Sequence, residues 1–184
     1  MFTDARSGSI LLVAHCVLNQ NSISDGTATY PGSVVDIVEW LLASQIGIVQ
    51  LPCPELMCLG LDRGDVDGAN SPVLEENTRI RAAMSREAAS AKLEALVESV
   101  VYQVCEYRKN GFDIRGIVGI NRSPSCGVET TTRDNREVAG RGVFMEALCR
   151  ELERRGIHLR TVGVKDAAPQ ESLQAVRSLT APES

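Results

Sequence analysis

Three cysteines each come shortly after an apolar run of the sequence. They are Cys16 after residues 10–14, Cys53 after residues 46–51, and Cys126 after residues 114–120. Continuous apolar runs of this length are typical of buried strands in parallel sheets. In open α/β sheets, ligands bind at the edge formed by the carboxyl ends of the strands. The sequence therefore predicts that three thiols, far apart along the chain, meet at one binding site.

Three converging thiolates are a ligand set that suits a soft metal. A structural zinc ion normally takes four ligands, usually in Cys-x-x-Cys pairs, and the chain contains no such pair. An iron–sulfur cube held by three cysteines leaves one iron open to a substrate, as in catalytic metal sites. Three unrelated loop cysteines explain the spacing equally well, so both interpretations stay open at this point.

The other three cysteines are predicted to differ from this set. Cys105 and Cys149 lie on or beside helical apolar stripes, where a buried cysteine behaves as a small hydrophobic side chain. Cys58 lies in the same segment as Cys53, and it could be a fourth ligand, a persulfide carrier or a residue without a chemical role. The absence of a secretion signal favours reduced thiols or a metal site over disulfides.

Predicted strands and helices alternate along the chain. We expect strands over residues 9–14, 47–51, 114–120 and 158–164, and helices over residues 31–44, 75–110, 142–155 and 169–179. Alternation of this kind is typical of a parallel sheet with right-handed crossovers. The predicted fold class is α/β, a single-domain Rossmann-like open parallel sheet of about four strands with helices on both faces, over residues 1–184. We expect the connections at residues 17–30, 53–72 and 123–141 to be loops.

The composition limits the partners that the chain can have. The formal net charge is −5 and the 19 lysines and arginines are scattered, so we expect no extended nucleic-acid surface. No run approaches the ~20 apolar residues of a membrane span, and residues 1–8 are too polar for a signal peptide. We therefore expect a cytoplasmic protein with no membrane partner. Nothing in the sequence predicts the oligomeric state.

Three segments resemble motifs of the thiouracil desulfidase (TudS) family. Residues 52–55 (PCPE), followed by residues 60–63 (GLDR), resemble the family's PxCPE…GL…R segment. Residues 123–127 (SPSCG) match its SPSCG segment, and residues 14–18 (AHCVL) are similar to its first-strand ACLLG motif. The resemblance extends over roughly residues 9–164, and the SPSCG and CPE motifs in this order are fairly specific.

The resemblance implies a 4Fe-4S cluster held by Cys16, Cys53 and Cys126. It also implies a small thiolated substrate, a nucleobase or related molecule, from whose thiocarbonyl group sulfur is removed. In that chemistry the iron without a protein ligand binds the sulfur and polarises the carbon–sulfur bond, and water attacks the carbon. Residues 19–22 (NQNS) stand where the family has an Arg-Tyr-Asp-Gly type segment. We therefore expect a divergent substrate pocket.

Five further side chains are predicted to contribute to this site. Glu55, Ser123 and Ser125 are the predicted catalytic residues, since a carboxylate can exchange a proton with water and hydroxyls can hydrogen-bond substrate or cluster sulfur. Turn geometry explains the two serines as well. Asn19 and Arg63 are the predicted substrate-binding residues, for a base edge and for a carbonyl or phosphate group, and each also fits an ordinary loop residue.

Two other functions remain compatible with the residues. A cysteine-nucleophile enzyme would use Cys126 and needs a base nearby, for which His15 is the histidine on the correct edge. A non-catalytic iron–sulfur or zinc-binding module would bind metal without turnover, with Cys58 as its fourth ligand. The three hypotheses differ in whether metal, His15 or Cys58 is required.

Overall fold

The computed structural model describes residues 2–165 and 167–181, which form a parallel sheet covered by helices. The strands are β1 (Ser9–Val13), β2 (Gly47–Gln50), β3 (Asp113–Ile120), β4 (Thr130–Arg133), β5 (Arg136–Ala139) and β6 (Thr161–Val164). The helices are α1 (His15–Leu18), α2 (Val35–Ala43), α3 (Pro54–Leu59), α4 (Val73–Met84), α5 (Glu87–Lys109), α6 (Val143–Arg154) and α7 (Pro169–Thr180). The sheet has the order β2-β1-β3-β6 with parallel pairing throughout, and β4 and β5 form a separate antiparallel hairpin.

Both faces of the sheet are buried, each against its own layer of helices. Side chains alternate between faces along a strand, so Leu12 and Ile117 pack with residues of α4, α5 and α6, whereas Leu11 and Val118 pack with residues of α2 and α7. Burying one such side chain fully stabilises the fold by about 1.5–3 kcal/mol. Two buried faces explain the continuous apolar runs of β1 and β3. The predicted fold class is confirmed.

The predicted helix over residues 31–44 begins later than expected, at Val35. The backbone of the preceding residues is hydrogen-bonded to the first loop instead: Gly32 O accepts from Gln20 N at 2.6 Å, and Val34 N donates to Val17 O at 2.9 Å. Non-local hydrogen bonds of this kind leave no signal in helical periodicity. The loop after β1 is thereby tied to the start of α2.

The predicted helix over residues 75–110 is wrong as a single element, because it is divided into α4 and α5. The chain turns at Ser85 and Arg86, where Arg86 has extended backbone angles of φ −71° and ψ 147°. The two helices pack on different partners, α4 on the β4–β5 hairpin and α5 on β3 and α6. One straight helix cannot reach both.

All three predicted loops contain regular structure, since residues 17–30 include the end of α1 and the 3-10 helix Gln20–Ser22. Residues 53–72 include α3, which begins at Pro54 and ends at Gly60, the start and stop residues expected of a helix. Residues 123–141 include the β4–β5 hairpin, whose turn residues Asp134 and Asn135 have φ of 49° and 57°. Such positive φ values are what a tight two-residue hairpin turn requires. All of these elements are too short for a periodicity argument.

The remaining predicted elements agree with the structure within one or two residues, except for the fourth strand. That strand begins at Thr161 instead of residue 158, because its pairing with β3 starts at Ile117 and Thr161. No helix within the described residues is long and apolar enough to cross a bilayer. The predicted domain limits, residues 1 and 184, lie outside the described residues.

Candidate functional site

Cys16, Cys53 and Cys126 line one cavity at the carboxyl ends of the parallel strands. Cys16 lies in α1 directly after β1, Cys53 caps the start of α3 after β2, and Cys126 lies in the turn after β3. The cavity has a volume of about 220 Å³, below the roughly 300–1,000 Å³ that drug-sized ligands occupy. The structure therefore brings the three predicted thiols together in a space suited to a small ligand.

The Cys16 backbone is held by Gln20, which is 2% exposed. The Gln20 side-chain nitrogen donates to Cys16 O at 3.0 Å, and its oxygen accepts from Thr29 N at 3.2 Å. One buried amide thus joins the first cysteine to the loop before α2. Sequence reasoning did not assign Gln20 a role, because a glutamine in a polar loop carries no distinguishing pattern.

The Cys53 thiol lies against an arginine and a backbone carbonyl. Its Sγ is 3.9 Å from Arg63 Nη2 and 4.0 Å from Ser22 O. Burial, followed by the negative charge of Glu55, raises the pKa of this thiol. The thiol is therefore protonated at neutral pH unless a cation or a metal stabilises the thiolate.

The Cys126 turn is held by the hydroxyl of Ser123. Ser123 Oγ accepts from Cys126 N at 2.9 Å and from Ser125 N at 3.2 Å. The turn also needs the glycine that follows, because a Cβ on Gly127 would lie 2.3 Å from Thr130 O. Burial, together with the charges of Cys16 and Cys53, raises the pKa of the Cys126 thiol well above its usual value. Ser123 thus has a structural role in shaping the turn, whatever else it does.

Glu55 is the centre of a buried polar network beside the thiols, and it is 6% exposed. Ser125 donates a hydrogen bond of 2.5 Å to Oε1 of Glu55. Ser24 and Arg63 donate to Oε2 of Glu55 at 3.3 and 3.4 Å. Ser125 Oγ is also 3.7 Å from Sγ of Cys126. The predicted catalytic residues Glu55 and Ser125 are therefore in direct contact next to the third cysteine.

Arg63 is buried inside this network and is 3% exposed. Its Nε donates to Glu55, its Nη1 donates to Leu61 O at 2.6 Å, and its Nη2 donates to Ser22 O. Its own backbone, at φ 54°, is held by Arg79 Nη2, which donates to Arg63 O at 3.0 Å. The guanidinium lines the cavity, and each of its three nitrogens donates to a protein group, so it connects three segments of the site.

Asn19 is not brought to the cavity wall. Its Oδ1 accepts from Asn21 N at 3.1 Å and so caps the 3-10 helix Gln20–Ser22. Its role in substrate binding stays a prediction. The other predicted site residues, namely Cys16, Cys53, Glu55, Arg63, Ser123, Ser125 and Cys126, all line the cavity.

Several lining residues were not expected from the sequence. They are contributed by α4, by the segment after β3, by the hairpin and by the end of β6, and include Asn77, Asn121, Arg122, Glu137 and Lys165. Lys165 and Glu137 form an ion pair of 2.6 Å, and hydrogen bonding to Lys165 and Thr130 lowers the pKa of Glu137. Lys165 directly follows β6, so its position at a strand end could have predicted that it reaches the cavity. Nothing in the sequence around Asn77 or Glu137 predicts that these residues line it.

Comparisons with known proteins place the chain in a family. No family model matches it. It is 30% identical over 153 residues to the uncharacterized protein MJ0003 of Methanocaldococcus jannaschii, and the match covers 83% of each chain. The chain belongs to the family of that protein. A solved structure of the 4Fe-4S-dependent thiouracil desulfidase TudS aligns with 92% of this chain and 99% of its own, at 18% identity and a TM-score of 0.47.

Three soft sulfur donors line the cavity, and they are the kind of donor that an iron–sulfur cluster takes from protein. Within residues 2–165 and 167–181, no group of three or more Cys, His, Asp or Glu side chains has the arrangement needed to hold one metal ion. Cys58 is packed in the hydrophobic core and does not line the cavity, so no fourth thiol is at hand.

His15 lies outside the cavity wall as well. Its Nδ1 is 2.5 Å from Gln50 Nε2, and its Nε2 is buried without a hydrogen-bond partner. Burial is the main reason that the pKa of His15 is lowered. Among the described residues, no hydrogen bond joins His15 to Cys126, as a base for a cysteine nucleophile would need.

Proposed function

We propose that this protein is an iron–sulfur-dependent desulfidase that hydrolyses the thiocarbonyl group of a small molecule. The observation that supports the proposal is the convergence of three thiols from three strands on one cavity, beside the buried Glu55 and Ser125 pair. The motifs at residues 52–55 and 123–127, which resemble those of the thiouracil desulfidase family, favour the same chemistry. A thiolated nucleobase or a related small molecule is the proposed substrate.

Cys16, Cys53 and Cys126 are the proposed ligands of a 4Fe-4S cluster. The raised pKa values of the buried Cys53 and Cys126 thiols are consistent with sulfurs that become thiolates only when a metal is bound. When bound, the cluster would supply an iron without a protein ligand, a Lewis acid for the sulfur of the substrate. In the overall reaction water replaces sulfur on the carbon: the products are a carbonyl compound and hydrogen sulfide, with no net oxidation or reduction.

Glu55 is the proposed general base for the attacking water. Its carboxylate accepts a proton as the water oxygen adds to the carbon, and it returns the proton as sulfur leaves. The Ser125 hydroxyl donates to Glu55 Oε1 at 2.5 Å and lies 3.7 Å from the Cys126 sulfur, so it orients the carboxylate beside the proposed cluster ligand. Arg63 keeps Glu55 in position through its 3.4 Å contact. Because Glu55 is buried, bulk water does not compete for its hydrogen bonds.

The cysteine-nucleophile alternative has less geometric support. Its base, His15, contacts Gln50 and is absent from the cavity wall. Burial favours the protonated, weakly nucleophilic form of Cys126. The metal-binding module without catalysis assigns no role to the network of Glu55, Ser125 and Arg63 beside the thiols.

The test is purification without oxygen, followed by iron and acid-labile sulfide analysis and an assay with thiouracil. We expect about four irons and four sulfides per chain, and sulfide release from thiouracil. Glu55→Gln is expected to keep its iron and to lose about 10²- to 10⁴-fold in kcat. Glu94→Gln, a change on the exposed face of α5, is the matched control and should behave like the wild type.

Three results would refute the proposal. Anaerobically prepared protein that takes up no iron, or that binds only one zinc ion, would exclude the cluster. An iron-loaded protein that releases no sulfide from any small thiocarbonyl compound would exclude the reaction. Undiminished turnover by Glu55→Gln would exclude the assigned base while leaving the cluster intact.

A further inference from the structure

Asn77 is a buried polar residue of α4 that the proposed reaction does not use. It is 7% exposed and lines the same cavity as the three thiols. A buried amide normally has all its hydrogen-bonding groups paired, because an unpaired buried polar group is unfavourable. The partners of each end of this amide therefore indicate what it can offer to a ligand.

The nitrogen end of the Asn77 amide is engaged by the hairpin. Nδ2 donates to Thr132 Oγ1 at 3.2 Å and lies 3.5 Å from Arg122 O. Thr132 Oγ1 donates its own proton to Arg122 O at 2.7 Å, so it can only accept from Asn77. This chain of donors fixes which end of the amide is the nitrogen, and it leaves Oδ1 as the group that can face the cavity.

Asn121, the second asparagine of the cavity wall, differs from Asn77 in the hydrogen bonding of its amide oxygen. Its Nδ2 donates to Gly163 O at 3.2 Å, and its Oδ1 accepts from Glu129 N and Thr130 N at 3.0 and 3.2 Å. Both ends of Asn121 are used to hold the protein together. By contrast, Oδ1 of Asn77 accepts no hydrogen bond from any residue within 2–165 and 167–181.

Oδ1 of Asn77 is not fully buried, and Asn77 lines the cavity. In the described part of the chain, the fully buried side-chain polar atoms without a partner are His15 Nε2 and Arg115 Nε, and Asn77 Oδ1 is not among them. Since the nitrogen of the Asn77 amide donates to the hairpin, its oxygen is the atom left to accept a hydrogen bond from a ligand in the cavity. An acceptor of this kind selects for a ligand N–H or O–H group.

We infer that Asn77 determines substrate specificity by accepting a hydrogen bond from an N–H group of the substrate. The inference rests on the proposed desulfidase function, and it narrows the substrate class to thiocarbonyl compounds that carry an N–H donor, as a thioamide does. Thr132 is the positioning residue, because its hydroxyl holds the amide nitrogen. Neither residue belongs to the cysteine and Glu55 network.

The experiment compares 4-thiouracil with its N1-methyl and N3-methyl derivatives in the cluster-loaded enzyme. Methylation removes one N–H donor at a time without removing the sulfur. The wild type is expected to discriminate against one of the two derivatives by about 10- to 100-fold in kcat/KM. Asn77→Ala should lower kcat/KM for 4-thiouracil by about that factor and leave kcat/KM for the disfavoured derivative unchanged. The variant would then no longer discriminate between the two compounds.

Thr78→Val is the matched structural control. Thr78 is the next residue of α4, and its Oγ1 accepts from Asn135 N of the hairpin at 2.8 Å, but it does not line the cavity. If Asn77→Ala acted only by loosening α4 from the hairpin, Thr78→Val would reduce the preference equally, and that result would overturn the inference. We expect Thr78→Val to keep the preference while lowering the melting temperature.

Binding of uracil, measured by calorimetry on the same variants, tests the inference without turnover. Uracil retains both N–H groups and has no sulfur. Weaker binding by about 10-fold in Asn77→Ala, with unchanged binding in Thr78→Val, would support the inference even if no desulfidase activity were found. Equal binding by the wild type and Asn77→Ala, or no binding by the wild type, would overturn it even if the enzyme proved active.

Discussion

Cys126 and Cys149 are equally hidden from solvent, at 7% and 6% exposure, but they lie in chemically different regions. Cys126 is at the cavity edge of the sheet, with Ser125, Glu55 and two other thiols around it. Cys149 is in α6, within the apolar core between the helices and the sheet. Burial alone therefore does not distinguish a chemical cysteine from a packing cysteine. The polarity of the neighbours does.

The charged groups of the same two regions differ in a parallel way. At the cavity edge, Arg63 and Glu55 form an ion pair whose side chains are 3% and 8% exposed. On the outer surface of α6, Glu151 accepts hydrogen bonds of 2.9 Å from Arg154 and Arg155, which are open to water. A buried pair is difficult to form and damaging to break, whereas an exposed pair contributes little. The buried ion pair thus lies beside the three thiols, where the proposed reaction would take place.

The strongest test of this contrast exchanges one cysteine in each region. Cys126→Ala is expected to abolish iron binding, because a ligand of the cluster is removed. Cys149→Ala is expected to keep full iron content and to lose about 1 kcal/mol of unfolding free energy from the small void. Iron analysis and denaturant melts of the two proteins check this. Iron retained by Cys126→Ala, or lost from Cys149→Ala, would reverse the assignment.

The second test breaks one ion pair in each region. Arg63→Met leaves the Glu55 carboxylate buried without its cation, so we expect a loss of about 3–5 kcal/mol in the free energy of unfolding of the metal-free protein. Arg63→Lys keeps the charge and should lose less. Arg154→Met on α6 is the control and should change stability little. Equal losses of unfolding free energy in Arg63→Met and Arg154→Met would mean that the buried ion pair stabilises the fold no more than the exposed one.

The smallest expected effect is on the pH dependence of the unfolding free energy, through Glu151 on the surface of α6. Hydrogen bonds from Arg154 and Arg155 lower the pKa of Glu151 from 4.5 to about 2. The pKa of Glu151 in the folded state lies below its unfolded value. The stabilisation that these hydrogen bonds give the folded state is therefore present above pH 4.5 and disappears as the pH falls towards 2. An NMR titration of the Glu151 carboxyl should show the low pKa, and Glu151→Gln should flatten stability in that window. A carboxyl that titrates near its usual value would show that water screens the contacts.

The fold was largely predictable because its main signals are local. The runs that became β1, β2 and β3, and the apolar stripes of α6 and α7, identify themselves through residue type and period. The errors occurred where non-local contacts decided the outcome. The delayed start of α2 depends on hydrogen bonds to the first loop, and the break between α4 and α5 depends on their different packing partners.

The residues of the candidate site that follow strands could be predicted from the sequence, because the ends of those strands could be. Once β1, β2 and β3 are expected to be parallel, Cys16, Cys53 and Cys126 must follow them at one edge, and the cavity contains all three. Ser125 directly precedes Cys126 and Glu55 is two residues past Cys53, so the position of each follows from that of its cysteine. Asn77 comes from a helix with no such link, and nothing in its sequence neighbourhood distinguishes it from other helical asparagines.

The sequence by itself determined the order of the four strands of the sheet, the edge at which the thiols meet, and the residue types available there. Only the tertiary structure decided how those residues are used. It engaged the donors of Arg63 within the protein, and it left one amide oxygen of Asn77 for a ligand. The physical reason is that periodicity and strand ends are properties of a segment, whereas hydrogen-bond satisfaction depends on groups that folding brings together from distant parts of the chain.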